Sequence, residues 1–134
     1  MKYIKLFENW EEIDEVNKTI KDILLDITDQ SQYGLRFISQ FQKDRNQIVM
    51  YLSTSATGVV DYFSMKDIQN EVFQVINYMK SMEFPLKTLQ CRINKIWYNC
   101  EIDNGIIKGI DRNESSSWLF IIEDMTSFEL RFQL

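Results

Sequence analysis

The chain has 134 residues, the size of one ordinary domain, and 45% of them are hydrophobic, which is enough to form a core. Its formal net charge is −5 and it contains no Lys/Arg cluster, so a nucleic-acid partner is disfavoured. The absence of histidine excludes Ser-His and Cys-His nucleophile pairs and histidine-containing metal sites. The four glycines are scattered and form no phosphate-binding loop.

No linker-like or repeated segment interrupts the chain, so residues 1–134 are predicted to form a single domain. A secretory signal is not present, and the longest fully apolar run, residues 118–122, is too short to cross a membrane. We therefore expect an intracellular protein without a membrane partner.

The first predicted helix covers residues 10–28. Asn9 is suited to cap it, with the Glu12 side chain reaching back to the cap. Residues 1–8 precede this helix as a segment that is either flexible or docked elsewhere. The helix carries one apolar stripe with steps of three and four: Ile13, Val16, Ile20, Ile23, Leu24 and Ile27.

Two strands are predicted next, at residues 33–41 and 47–53, because apolar residues alternate with polar ones there. The polar turn at residues 42–47 joins them as an antiparallel hairpin. Residues 59–63 are β-branched and aromatic, which favours a short third strand.

The clearest helix signal spans residues 64–84. Ser64 and Asp67 resemble a capping box, and Pro85 disfavours helical geometry at Phe84. The apolar positions make one stripe: Met65, Ile68, Val72, Val75, Ile76, Met79 and Met82.

Strand character returns after Pro85, with strands at residues 88–93 and 96–102 around a two-residue turn, Asn94-Lys95. In that register Arg92 lies opposite Trp97. The other face of the hairpin is apolar, with three facing pairs: Ile93 and Ile96, Cys91 and Tyr98, and Leu89 and Cys100.

The C-terminal third is predicted to be entirely strand and turn. A turn at residues 103–105 leads to a strand at 106–110 and a loop at 112–117. Residues 118–123 and 127–134 are predicted to pair as a last hairpin around 124–126.

The order of elements predicts an α+β fold, in which two amphipathic helices pack on one face of a mostly antiparallel sheet. Written in chain order, the elements are α-β-β-(β)-α-β-β-β-β-β.

The two cysteines, Cys91 and Cys100, lie diagonally across the predicted hairpin, about 7–8 Å apart. This separation disfavours a disulfide, so both are interpreted as small core residues. Two cysteines without histidine also make a poor zinc site.

Carboxylates offer a second kind of chemistry, since a magnesium site can be built from them alone. Most of the candidates occur in predicted turns, where Asp and Asn are favoured for backbone reasons. The candidates are Asp103, Asp111, Glu114, Glu123 and Asp124.

A candidate interaction surface comprises Arg92, Trp97 and Trp118. Arg92 opposite Trp97 suits a cation–π pair, and Trp and Arg are enriched in interface hot spots. The alternative is that both tryptophans are covered as core residues, since large aromatic side chains are usually well buried.

The opening MKYIKLFENW resembles the first residues of short proteins encoded by T-even-like tailed phages. Members of that group begin Met-Lys, then apolar residues, then Phe-Glu. In their internal head proteins a similar opening acts as a targeting peptide, which a prohead protease removes after Leu-x-Glu or Ile-x-Glu. Two segments match these patterns here, Leu6-Phe7-Glu8 and Ile13-Asp14-Glu15.

These observations favour a non-enzymatic, phage-like protein that acts by protein–protein contact, either as a virion accessory protein or as an inhibitor of a host system. Its expected location is the host-cell cytoplasm or the virion, with a phage or host protein as partner and no cofactor. Two alternatives stay open. One is a carboxylate-based, metal-dependent enzyme such as a nuclease, and the other is a homodimer that associates through a sheet edge or face.

Overall fold

The computed structural model of this chain describes residues 10–29, 33–56 and 58–134, with side chains described from residue 14 onward. The predictions for residues 1–8, for the Asn9 cap and for its Glu12 partner lie outside this description. Within it, three helices and seven strands occur in the following order: α1 (Trp10–Ile23), α2 (Leu25–Thr28), β1 (Arg36–Gln42), β2 (Gln47–Ser53), α3 (Met65–Ser81), β3 (Leu86–Ile93), β4 (Ile96–Asp103), β5 (Ile106–Arg112), β6 (Ser117–Ile121) and β7 (Ser127–Gln133).

The strands form one sheet in the order β1-β2-β7-β3-β4-β5-β6, and every neighbouring pair is antiparallel. Buried side chains of the helices make one cluster with those on a single face of the sheet. Gln69 of α3 fixes this arrangement, because its side-chain oxygen accepts a hydrogen bond from the Ile107 N–H of β5 at 3.1 Å. The predicted α+β fold is confirmed.

The first helix is interrupted where the sequence predicted continuity. Leu24 separates α1 from the single turn of α2, and its N–H still donates to the Ile20 carbonyl at 3.0 Å. The apolar stripe continues across the break, since Val16, Ile20, Leu24 and Ile27 are all buried. The break in the helix at Leu24 therefore does not change which side chains face the core. In the described residues, no helix is long and apolar enough to cross a membrane.

Helix α3 has the predicted boundaries to within a few residues. The Asp67 carboxylate accepts a hydrogen bond from the Ser64 N–H at 3.1 Å, which is half of a capping box. The C-terminal end turns at Glu83, whose φ of 67° allows the Phe84 N–H to reach back to the Met79 carbonyl at 2.9 Å.

The predicted register of the β3–β4 hairpin is confirmed, including the pairing of Arg92 with Trp97. Asn94 and Lys95 form its turn with φ values of 52° and 68°. Two consecutive positive φ values are typical of the type I′ turn, whose twist matches that of the flanking strands.

The strand predicted at residues 59–63 is wrong, because only Phe63 pairs with another segment, in an isolated bridge to Met125. Hydrogen bonds run both ways in this bridge, at 3.0 and 2.9 Å. The β-branched residues before Phe63 lie in a connection instead, where Val59 is exposed. Strand propensity alone therefore did not decide this segment, which lacks a neighbouring strand to extend the ladder.

The predicted last hairpin is also wrong: β6 and β7 are adjacent in the sequence but are not paired. Strand β6 pairs only with β5 at one edge, whereas β7 lies between β2 and β3. In the sheet, β6 and β7 are four strand spacings of about 4.8 Å apart. The chain from Ile121 to Ser127 can cover this distance if it is extended, since each of its six steps spans about 3.3 Å. The fully buried Phe128 and Phe132 of β7 explain its central place.

The connection between β6 and β7 is held against the start of α3. The Met65 N–H donates to the Ile122 carbonyl at 3.0 Å, and the Asp124 N–H donates to the Ser64 hydroxyl oxygen at 3.3 Å. The N-terminus of α3 is therefore the point where the helix layer and the crossing segment meet.

We expect Asp67→Ala to lower the free energy of unfolding by about 1 kcal/mol, because it removes the cap bond to Ser64 and a favourable charge at the helix N-terminus. Asp61→Ala makes the same change in charge at an exposed residue just before the helix and serves as the control. Urea unfolding followed by circular dichroism measures both. Equal losses in the two variants would contradict the capping role.

Candidate functional site

Exposed large hydrophobic side chains are concentrated on strands β4–β6. Nine such residues occur in the described part of the chain, and six belong to these three strands: Ile96, Trp97, Ile102, Ile106, Trp118 and Ile121. A concentration of exposed apolar side chains at one end of a sheet is a candidate interaction site.

Alternation along the strands divides these six side chains between the two faces of the sheet. Ile96, Ile102 and Trp118 lie on the face that carries the helices, because they share it with the buried Ile107 through the strand registers. Trp97, Ile106 and Ile121 lie on the opposite face, which we call the helix-free face. Both faces of this end of the sheet therefore expose apolar groups.

The ladder between β4 and β5 is short. It runs from Asp103↔Ile106 to Cys100↔Gly109 and then stops. Each strand continues beyond that point with its other neighbour, since Ile96 still pairs with Ile93 of β3 and Arg112 still pairs with Ser117 of β6. Residues 96–99 and 110–112 thus diverge from each other instead of pairing.

The divergence opens a cavity of about 370 Å³ between the two strands, which we call the β4–β5 cleft. Apolar, amide and oppositely charged side chains meet there, a mixture that is typical of protein-binding surfaces. The lining residues are Ile96, Trp97, Tyr98, Asn99, Ile110, Asp111 and Arg112.

The predicted site residues divide between the two faces. Arg92 and Trp97 are register partners on the helix-free face, and Trp97 is 42% exposed. Trp118 is 48% exposed but lies on the helix side, opposite Asp111. The core alternative is therefore wrong for both tryptophans, and only Arg92 and Trp97 are brought together.

Arg92 lies on β3, opposite Trp97 of the cleft, and its backbone is held in place. Its backbone carbonyl accepts hydrogen bonds from the N–H and hydroxyl of Thr126, at 2.9 and 3.4 Å. Its side-chain Nε is buried without a hydrogen-bond partner among the described residues. An unpaired buried donor of this kind costs free energy in the folded state.

Gly109 lies at the point where the β4–β5 ladder ends, and the Phe120 ring lies directly over it. A Cβ added at Gly109 would come within 2.2 Å of that ring. Phe120 reaches across the glycine to Tyr98, with ring centroids 5.2 Å apart and an interplanar angle of 77°. This edge-to-face pair connects β6 to β4 across β5 and supports the wall of the cleft.

The carboxylates needed for a metal-dependent enzyme are not gathered at one place. Asp103 is paired with Lys108 at 2.9 Å. Asp111 and Glu123 both line a cavity of about 270 Å³ beside Tyr98 and Phe120. Across the described residues, no group of three or more His, Cys, Asp or Glu side chains is arranged to hold a metal ion.

Cys91 and Cys100 are both free thiols, as the diagonal register predicted. Cys91 is fully buried in the core. The hydrogen bond between the two thiols and the burial of Cys100 itself raise the pKa of Cys100. Cys100 is therefore held as the protonated thiol.

No protein family, curated protein or solved structure matches this chain.

Sequence reasoning found Trp97 but missed most of the cleft: Ile110 and Arg112 were not singled out, and Asp111 was considered only as a metal ligand. The loss of pairing between two strands leaves no mark in the alternation of either one. The one available signal was Gly109, because a glycine inside a strand marks a close approach of another group.

We expect Gly109→Ala to lower the free energy of unfolding by about 1–3 kcal/mol, because the new methyl group must displace Phe120. In a Phe120→Ala background the same substitution should be neutral or stabilising, since alanine is favoured over glycine within a strand. A double-mutant cycle of thermal unfolding measures the coupling. Equal costs of Gly109→Ala in both backgrounds would show that the ring contact is not the cause.

Alkylation with iodoacetamide at mildly alkaline pH should be slow in the folded protein, because Cys91 is inaccessible and Cys100 keeps its proton. After unfolding in urea without reductant, both thiols should react rapidly. Mass spectrometry counts the modified cysteines. An unfolded chain that stays unmodified would reveal a disulfide and contradict the free-thiol assignment.

Proposed function

We propose that this protein acts by protein–protein interaction and that its β4–β5 cleft receives an extended segment of the partner. The observation that carries the proposal is the early end of the β4–β5 ladder. Strands that diverge present backbone N–H and C=O groups to the space between them, and an added strand pairs with such groups.

The side chains around the cleft define the chemistry of the segment it suits. Trp97 and Ile96 are exposed on opposite faces of the sheet and favour apolar side chains at successive positions of an extended peptide. Arg112 and Asp111 add one charge of each sign at the other wall. Arg92, the register partner of Trp97, adds a guanidinium group whose terminal nitrogens can donate to a partner carbonyl or carboxylate.

The phage-type assignment rests on the opening of the sequence, MKYIKLFENW, as a proposal of its own. Leu6, Phe7 and Glu8, the first of the two cleavage patterns, lie outside the described residues. The second, Ile13-Asp14-Glu15, lies within α1, so cleavage after Glu15 would divide that helix. We therefore favour a virion accessory protein or host inhibitor that keeps α1 intact.

Trp97→Ala should weaken partner binding about tenfold or more, since large aromatic side chains dominate interface energetics. Leu25→Ala, which truncates an exposed side chain on α2, is the matched control. Pull-down from host lysate and mass spectrometry of purified virions identify the partner, and calorimetry with that partner gives the affinities. Equal binding by the two variants would place the interface elsewhere.

Hydrogen exchange provides a second readout of the same proposal. Amide protons in residues 96–99 and 110–112 should become protected when the partner is added, because a paired strand shields them.

Light scattering of the protein alone tests whether a second copy is the occupant. A dimer that Trp97→Ala dissociates would identify self-association as the use of the cleft.

A further inference from the structure

A second concave site lies on the helix-free face, away from the β4–β5 cleft. It is a pocket of about 570 Å³ over the central strands β2, β7 and β3. In the part of the chain that the structure describes, its lining is wholly polar or charged: Arg45, Gln47, Lys87, Thr88, Gln90 and Arg131. Three of the six are cations and none is a carboxylate, which is unusual in a chain of net charge −5.

A β-bulge places Lys87 in this pocket. Leu86 and Thr88 pair with consecutive residues of β7, Phe132 and Arg131, so Lys87 is one extra residue in β3. Bulges re-aim side chains and are over-represented beside active sites. Here the extra residue brings a cation beside Thr88 and Arg131.

The turn that carries Arg45 is tied to the C-terminal end of β7. The Leu134 N–H and the Gln133 side-chain nitrogen both donate to the Asn46 carbonyl, at 2.9 and 3.0 Å. The Asn46 side chain donates in return to the Leu134 carbonyl at 3.0 Å. The backbone that presents Arg45 is therefore fixed before any ligand binds.

Arg131 is oriented by Glu129, whose carboxylate accepts a hydrogen bond from the arginine Nε at 2.5 Å. Glu129 is buried and lies on the same face two residues earlier in β7. The bond engages Nε and leaves the terminal guanidinium nitrogens as donors toward the pocket. Arg131 thus resembles a preset anion-binding group, with most of its flexibility already removed.

Gln47 supplies an independent sign of a ligand. It is 3% exposed and lines the pocket, yet its side-chain oxygen has no hydrogen-bond partner among the described residues. Buried polar groups are nearly always paired, so a missing partner needs an explanation. A ligand hydroxyl would satisfy this acceptor.

We infer that this pocket binds a phosphorylated, polyhydroxylated small molecule of the sugar-phosphate class. Arg45, Lys87 and Arg131 match a phosphoryl group, since cations and phosphate oxygens make the strongest protein hydrogen bonds. Gln47, Thr88 and Gln90 match hydroxyl groups. Among the described residues, the lining contains no aromatic ring on which a nucleic-acid base would stack, which favours a sugar phosphate over a nucleotide or single-stranded RNA.

Calorimetric titration at physiological ionic strength tests the inference with three probes: glucose 6-phosphate, glucose and inorganic phosphate. We expect saturable binding of glucose 6-phosphate, tighter than that of phosphate, and none of glucose. The double variant Arg45→Gln, Lys87→Gln should bind glucose 6-phosphate about tenfold or more weakly, because charge-assisted hydrogen bonds to the phosphoryl group are lost. Both residues are exposed, so the fold should be kept.

The control is Lys43→Gln with Lys95→Gln, which removes two exposed turn cations outside the pocket. Equal weakening by the control variant would show diffuse electrostatic attraction and overturn the site. Absence of saturable binding would also overturn it. Phosphate binding as tight as that of the sugar phosphate, or displacement of the probe by oligouridylate, would overturn the ligand class. Trp97→Ala should leave the titration unchanged, so this test is separate from that of the proposed function.

Discussion

The pairing of β7 with both β2 and β3 is the interaction on which the rest of the structure depends. It joins the β1–β2 hairpin to the β3–β6 meander, which otherwise share no hydrogen bond within the sheet. The side chains of Phe128, Leu130 and Phe132 in β7 are buried in the core and stabilise this junction. Because β7 follows the other described strands in the chain, the two groups of strands are joined only when this segment takes its place between β2 and β3. The bridge between Phe63 and Met125 sets the path of that return and fixes the start of α3 against it.

Exposed apolar side chains and interrupted strand pairing occur in the part of the sheet that lies farthest from β7. The helices cover the central strands, whereas β4 and β6 have no buried residue and β5 between them keeps only Ile107 and Gly109 buried. Fewer buried contacts mean weaker local stability, and binding segments are commonly drawn from such regions. The short β4–β5 ladder and the exposed Trp97 both occur here. The Phe120–Tyr98 contact over Gly109 keeps this end ordered despite its interrupted pairing.

Both candidate sites arise from an interruption of the regular sheet. In the β4–β5 cleft two strands stop pairing, and in the central pocket a bulge at Lys87 adds one residue. Each interruption turns side chains toward a space that a regular ladder would have closed. Their chemistry differs, because the cleft combines Trp97 and other apolar groups with charges of both signs, whereas the described lining of the pocket is polar, with cations and amides. The two sites are thus suited to ligands of different classes.

Local chemistry was enough to predict the α+β class, the apolar stripe and N-terminal cap of α3, and the β3–β4 register with its Arg92–Trp97 pair. Each depends on residues within a turn or hairpin of one another, so periodicity and turn type determine them. The central place of β7, the bulge at Lys87 and the splay of β4 from β5 were decided by tertiary structure. These features depend on which distant strand lies alongside, and a strand that alternates perfectly pairs equally well with several neighbours. Burial of β7 on the core side, against helices that come much earlier in the chain, is what selects among them.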